Sequence, residues 1–401
     1  MSNSNKTLEV FCDGGFGNRY NALVSGFALA RYFGLKFVVH WPRNNWCHAG
    51  FGSIFSTPVK VSEKTLSELS GTLQDATCLL HDTLGADTLR VSFQSAYAFN
   101  SIDAFEKNVI AGTERIFFYP ALIPNWIPQD LIKASIIGLE FNNALLHAAK
   151  TFIEQNFSHP YYGIHLRRTD LNVGLADCEV QMLVKSYPNE HFFVCSDDPL
   201  AEALAAVHPN VHRRDKANNI QKKNLAGGWT TPTLDDDGRK YFSNIQRGAD
   251  AVIEGVIDIL ILGQSQIVGF SGSTFQNVAR LLGQYAPITN LSLPPAIRYS
   301  ALQDTIRWMK GRQLSLLQVC EFAEEMVGAG RLQDALELLS AALEVYSGAD
   351  QFVILHNMSS YLIGAGRTKQ AAIYAKAALE IIPSSPQVAV LVQRINDAPK
   401  G

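Results

Sequence analysis

LEVFCDGGFGNRYNALVSGFALARYFGLKFVVHWP, residues 8–42, decides how the chain begins. LEVFC is short and rich in residues that suit a strand, Asn21 to Phe33 repeats apolar residues at helical spacing, Gly34 halts that helix, and KFVVHW is a second strand. Strand, glycine turn, helix and strand make a βαβ unit, with a right-handed crossover and parallel strands. The turn GGFGN, Gly14 to Asn18, then falls at the carboxyl edge of the sheet, where ligands bind in such folds. Gly14, Gly15 and Gly17 carry no side chain, so backbone amides and the positive pole of the helix can approach an anion. The same residues also suit a plain tight turn, because the spacing is neither GxGxxG nor a P-loop ending in GK[ST].

Further along, residues 43 to about 130 show a short strand near RIFFYP and an aromatic-rich stretch through Trp126, to which no chemistry is assigned. A helix is expected from about Asp130 to Phe157, then the strand YYGIHL, a helix, the strand HFFVCS, a helix near Leu200 to Val207, and VHRR as a third strand. Between Asp215 and Asp237 the chain turns polar, as a loop facing an acceptor would. A helix from about Ala249 to Leu262, the strand IVGF and a helix opened by SGSTF and running through Leu282 complete the second set. The pattern predicts an α/β protein of two facing Rossmann-like lobes: residues 1–155, the acceptor side, and residues 156–300, the nucleotide side. Such a fold does not by itself establish an activity.

After Leu293 the pattern is helical and repeats. GAGRLQDALELLSAALEVY begins at Gly328 and GAGRTKQAAIYAKAALEII at Gly364, a period of 36 that aligns Ala335 with Ala371, Ala341 with Ala377 and Leu343 with Leu379. Small residues at these places, and Pro383 after the second copy, resemble the tetratricopeptide repeat, whose unit is about 34 residues. Residues 310–396 are therefore expected to form an all-α repeat module. Two copies fall short of a free-standing solenoid, so the module either braces the α/β part or offers a docking surface for a protein partner.

The bulk numbers narrow the function classes. With 401 residues, 47% of them hydrophobic, the chain can bury cores for two or three domains. Thirty-four basic residues against 37 acidic leave a charge of −3, which argues against a surface built to coat nucleic acid or anionic lipid. The start, MSNSNKTLEV, lacks the basic and apolar segments of a secretory signal, so a cytoplasmic location is expected. The longest apolar run, VIEGVIDILILGQSQIVGF, is interrupted by Glu254, Asp258 and Gln264 and predicts no membrane span. Six scattered cysteines without a CxxC pair suit buried, reduced thiols better than disulfides or zinc.

GIHLRRTD, Gly163 to Asp170, carries the sharpest chemistry: a buried strand that ends in two adjacent arginines. Guanidinium forks at a strand end need anionic partners, and a diphosphate fits because each fork can donate parallel charge-assisted hydrogen bonds. The bland reading is salt bridging to carboxylates such as Asp170. In FSGSTF, Phe270 to Phe275, Ser273 and Thr274 either cap the next helix or bind phosphate. Asp235, Asp236 and Asp237 look like a DxD metal site, but no apolar strand presents them and Gly238 marks a loop, so no metal is expected.

GGFGNR, HLRRTD, VCSDDP and VIDILILGQSQIVGFSGSTF occur in the order found in the fucosyltransferases related to rhizobial chitooligosaccharide and animal core α1,6 enzymes, and in the wider α1,2 and protein O-fucosyltransferase group. The resemblance covers about residues 8–295 and implies a GT-B fold. It further implies an inverting, metal-independent transferase that moves fucose from GDP-fucose to a hydroxyl of a glycan or glycoconjugate. Carried over, it assigns Arg167 and Arg168 to the donor diphosphate, places His165 near the nucleoside, and makes Asp258, 16 residues before Thr274, the guanine reader, with Ser273 and Thr274 on phosphate. The core α1,6 enzymes follow RRTD with a lysine and then a glutamate base; here Leu171 and Leu175 occupy those places. Asp170 then either serves as the base or orients the arginines, with Asp177 and Glu179 as alternatives. The missing glutamate also leaves room for a degenerate GDP-sugar-binding scaffold whose repeats mediate protein interaction.

Overall fold

The computed structural model describes residues 5–81, 87–167, 180, 183–184, 186–225, 228, 231–234, 240–241, 244–268, 273–295, 301–311, 314–328, 330–383 and 385–397. The chain divides into two compact units, residues 1–172 with 184–296 and residues 173–183 with 297–401.

The first unit contains two parallel sheets. β1 (Thr7–Phe11), β2 (Lys36–His40), β3 (Lys60–Ser62), β4 (Thr77–Leu80), β5 (Phe93–Ser95) and β6 (Arg115–Tyr119) lie in the order β3-β2-β1-β6-β4-β5. β7 (Tyr162–Leu166), β8 (Phe192–Ser196), β9 (Val211–His212) and β10 (Gln266–Val268) form the second sheet, in the order β10-β7-β8-β9. All neighbours in both sheets are parallel, as βαβ crossovers require. Strands covered on both faces read as continuous apolar runs, and all five residues of β7 are buried. The expected α/β class with two Rossmann-like lobes and trailing helices is present.

Helices α1 (Phe16–Phe33), α2 (Gln129–Gly138), α3 (Asn143–Asn156), α4 (Pro199–Ala205), α5 (Ala249–Gly263) and α6 (Thr274–Tyr285) cover the sheets. α1 is buried around most of its circumference, and it ends where Gly34 turns left-handed at φ 64° and donates to the Ala30 carbonyl. One core joins the lobes, running from Leu8 and Val10 of β1 through Leu23 and Val24 to Val256, Ile259, Val278 and Leu282. α5 and α6 touch backbone to backbone, since a Cβ on Gly283 would lie 1.8 Å from the Gly263 carbonyl oxygen. The aromatic stretch through Trp126 is core: its ring stacks 4.9 Å from that of Phe105, and its Nε1 donates to the Ala96 carbonyl at 2.9 Å.

Several expected boundaries move. α1 starts at Phe16, not Asn21, because the glycine turn itself winds into the helix. The single helix expected over Asp130 to Phe157 is two, α2 and α3. Between them Phe141 pairs with Phe55, Glu140 accepts from the Ser56 amide, and Asn142 caps α3 by accepting from the Ala144 amide. VHRR is strand only over Val211–His212, and its two arginines leave the sheet. Of the six cysteines, Cys12, Cys47, Cys78 and Cys195 are buried and Cys320 is partly buried, all as free thiols, while Cys178 lies outside the described residues.

In the second unit α7 (Ala301–Lys310), α8 (Leu316–Gly328), α9 (Leu332–Ala342), α10 (Ala349–Gly364), α11 (Thr368–Ile381) and α12 (Pro386–Asp397) follow one another. The two sequence copies have the same local geometry. Gly330 and Gly366 are left-handed at φ 76° and 73°, the amides of Arg331 and Arg367 each donate at 2.8 Å to the carbonyls of Met326 and Leu362, and Ala335 and Ala371 are both fully buried. Among the described residues, no helix is long and apolar enough to cross a membrane.

Glu9, in the middle of the first sheet, is held from both sides: His40 Nε2 of β2 lies 2.8 Å from Oε2, and Arg115 Nε of β6 donates to Oε1. Burial pushes the Glu9 carboxyl up, but the hydrogen bonds and charges of His40 and Arg115 outweigh it and hold the group at about 2, against an ordinary 4.5. A carboxyl depressed on folding adds stability that is complete above 4.5 and is lost as pH falls from there towards 2. Glu9→Gln is expected to cost on the order of 2 kcal/mol at pH 7 and to flatten the wild-type decline across that acid window, as read by urea unfolding at stepped pH. Parallel pH profiles for the two proteins would contradict this assignment.

Candidate functional site

In the second sheet the chain reverses its direction of travel once, between β7 and β10; in the first, the connections that leave β1 and β4 run to opposite sides, and β6 returns to sit between those two strands. Ligand crevices of open parallel sheets form outside the carboxyl ends of strands at such points. GGFGN follows β1, HLR ends β7, and Ser273 and Thr274 follow β10, so both switch points carry the residues singled out by sequence.

The glycine turn is braced from behind. Gly14 is left-handed at φ 77°, and Gly15 stands at the N-cap of α1 with no side-chain cap, so no side chain covers the first amides of the helix. Arg19 is fully buried. Its Nε donates to the Gly14 carbonyl at 2.8 Å, Nη1 to the Pro42 carbonyl at 2.7 Å and Nη2 to Asn44 Oδ1 at 2.9 Å, and its guanidinium lies 5.1 Å from the Trp41 ring centroid. Asp13 accepts from Asn44 Nδ2 at 2.8 Å and from the Tyr119 hydroxyl at 3.0 Å, tying the ends of β1 and β6 together.

At the other lobe Ser273 caps α6 by accepting from the Gln276 amide at 3.2 Å, and its Oγ lies 3.2 Å from His165 Nδ1. The capping reading therefore holds, and the same hydroxyl also positions the histidine. Phe275 stacks on the His165 ring, with centroids 4.3 Å apart and planes at 15°. Burial pushes the imidazole down to about 4, assisted by the cations Arg167 and Lys216 and opposed by Asp197 and Asp258, so His165 is neutral near pH 7. The two helix starts meet here: a Cβ on Gly17 would lie 2.8 Å from the Thr274 carbonyl carbon and 2.8 Å from its Oγ1.

Asp258, on α5 and 2% exposed, receives two cations. Arg214 Nε donates to Oδ1 at 2.8 Å and Lys216 Nζ lies 2.7 Å from Oδ2. Arg214 also pairs with Glu254, and Lys216 with Glu202 of α4. Burial disfavours the charge on Lys216, yet Asp258 and Glu202 together raise its pKa above that of an ordinary lysine. Glu202 is raised mainly by burial, with Lys216 acting against the shift.

These elements enclose a cavity of about 240 Å³. Gly14, Gly15, Gly17 and Asn18 line it from the first lobe, and His165, Arg167, Asp258, Ser273 and Thr274 from the second. Arg168 and Asp170 lie outside the described residues, as do Leu171, Leu175, Asp177, Glu179 and the Asp235–Asp237 run. The sequence reading missed Trp46, Asp197, Lys216 and Arg247, which also line the cavity, and Arg247 stacks 5.4 Å from the Trp46 ring centroid. Asp197 stood inside the quoted VCSDDP run without a role; Lys216 carried no local signal, being one polar residue in a polar loop. Among the described residues, no group of three or more histidine, cysteine or acidic side chains could hold a metal.

Fold and site define a two-lobed α/β protein with a cleft in which the starts of α1 and α6 meet. No family model matches the chain, and no curated protein matches it in sequence. Among solved structures it is similar to the NodZ α-1,6-fucosyltransferase co-crystallized with GDP, at 15% identity and TM-score 0.43, over 70% of this chain and 93% of that one. The same comparison gives the NodZ fucosyltransferase from Bradyrhizobium at 15% identity and TM-score 0.42, over 70% of this chain and 94% of that one. POFUT1 in complex with GDP is similar at 14% identity and TM-score 0.41, over 74% of this chain and 100% of that one.

Gly17→Ala tests the meeting of the helices. The added methyl has backbone in its way, so the helix starts must part, at a cost of about 1–3 kcal/mol. Thermal unfolding is expected to show a clear drop in Tm. An unchanged Tm would mean that the contact is not a constraint.

Proposed function

We propose that the chain is an inverting glycosyltransferase that moves fucose from GDP-fucose to a hydroxyl of a glycan or glycoconjugate acceptor in the cytoplasm. One observation carries the reading: the N-termini of α1 and α6 and the Arg167 side chain meet in a cavity that also holds the Asp258 carboxylate. Each helix start is worth about half a positive charge, and the guanidinium adds a full one, a field suited to a diphosphate. Asp258 is a carboxylate acceptor in the same space, and guanine presents two neighbouring N–H donors where adenine presents an acceptor.

In the proposed reaction the acceptor oxygen forms a bond to the anomeric carbon as the bond from that carbon to the diphosphate oxygen breaks. The bonding pair leaves with GDP, where Arg167 and the helix amides stabilise the added charge. Arg168 joins Arg167 on the diphosphate, and the acceptor proton goes to a carboxylate in or after the RRTD motif, Asp170 first. Ser273 contributes through His165, whose neutral ring offers one donor and one acceptor beside the nucleoside. The trailing helices, read as tetratricopeptide-like, brace the enzyme or dock a protein partner; the shared glycine caps of the two copies support the repeat.

Incubation with GDP-fucose alone separates an enzyme from a scaffold. The wild type is expected to release GDP slowly into water. Arg167→Ala is expected to cut that release by about one to a few orders of magnitude, since each charge-assisted hydrogen bond is worth roughly 1.5–3 kcal/mol. A wild type that binds GDP yet releases none from GDP-fucose contradicts the transferase and favours a scaffold.

A further inference from the structure

A lysine in the wall of a nucleotide cavity is ordinarily taken as a phosphate ligand. Lys216 is placed otherwise. Its ammonium group has three donors, and three acceptors within the protein receive them: Asp258 Oδ2 at 2.7 Å, Glu202 Oε1, and the Ser196 carbonyl at 3.3 Å. These come from α5, α4 and the end of β8, so the lysine ties three elements together around one carboxylate. Glu202 is itself fixed, accepting from the Ser196 amide at 2.6 Å. Arg214 does the same from the other side, through Asp258 Oδ1 at 2.8 Å and the Glu254 carbonyl at 3.0 Å.

Each carboxylate oxygen has two lone-pair positions, and each oxygen of Asp258 has one taken by a cation. We infer that Lys216 and Arg214 are positioning residues: they clamp Asp258 so that one acceptor position on each oxygen serves a base edge with two adjacent N–H donors, and Lys216 does not hold phosphate. The inference rests on the guanine reading of Asp258 given above and adds what makes that carboxylate selective. A guanine edge satisfies both positions. Inosine, lacking the 2-amino group, satisfies one, and a diphosphate without a base satisfies neither. Selectivity arises because the clamped carboxylate cannot turn to follow a poorer partner.

The test is calorimetric titration of the full chain with GDP, inosine diphosphate and inorganic pyrophosphate. Lys216→Met removes the half of the clamp that holds Oδ2 but leaves Glu202 buried without its cation, so the charge-balanced double variant Lys216→Met, Glu202→Gln is measured beside it, with Tm reporting folding. Affinity for GDP is expected to fall about tenfold or more in the folded variants, to a level close to that for inosine diphosphate, while affinity for pyrophosphate stays unchanged. Lys216→Arg, which keeps a cation between the two carboxylates, is expected to recover part of the GDP preference. An equal loss for GDP and pyrophosphate would make Lys216 a phosphate ligand and overturn the inference. A folded variant that retains the wild-type preference also overturns it and leaves the lysine a structural strut. If Asp258→Asn abolishes the preference while the Lys216 variants keep it, only the clamp fails; if the wild type binds no GDP, the guanine reading and the clamp fail together.

Discussion

Two helices begin against each other because one of them places a glycine at the contact. Gly17 of α1 faces the backbone of Thr274 at the start of α6, and a single methyl group there would meet carbonyl carbon and hydroxyl oxygen at 2.8 Å. The contact brings the carboxyl edge of one sheet against that of the other. It lets the unsatisfied amides of two helix ends share one cavity, and a helix end alone is a weak anion site. The bracing behind each end gives the contact its rigidity: Arg19 grips the Gly14 carbonyl in one lobe, and in the other the Gly263–Gly283 contact fixes α6 against α5, which carries Asp258.

Charge is separated within the cavity by how each group is occupied. Lys216 in the wall, and Arg19 and Arg214 behind it, direct donors to protein acceptors and brace the groups that line the cavity. His165, pushed down by burial, carries no charge near neutral pH and does not compete with a guanidinium for anionic oxygen. Asp258 sits within a ring of two cations and two further carboxylates, an arrangement that is costly to build in a buried place. Such a cost in a cavity wall is more easily understood as orientation than as stability.

Local features were legible in the sequence where they depend on neighbours in the chain. The β1–α1–β2 unit, the Gly34 stop, the YYGIHL strand and the hydroxyls opening α6 follow from spacing and caps, and the nine described residues named for the site all line the cavity. β3 and β5 were missed because three-residue strands carry no period that a window can detect. The break between α2 and α3 was missed because its cause, the Phe55–Phe141 pairing, joins residues far apart in sequence. The clamp on Asp258 was invisible for the same reason: VHRR looked like a strand, and nothing local says that Arg214 turns towards a carboxylate on α5.

A crystal structure of the chain grown with GDP measures the central claim directly. The diphosphate is predicted to lie across the starts of α1 and α6, within hydrogen-bond reach of the Gly15–Gly17 amides, Thr274 and Arg167, with the base edge on Asp258. Nucleotide density on another surface, or a base stacked between the helix starts with its phosphates in solvent, would contradict the account.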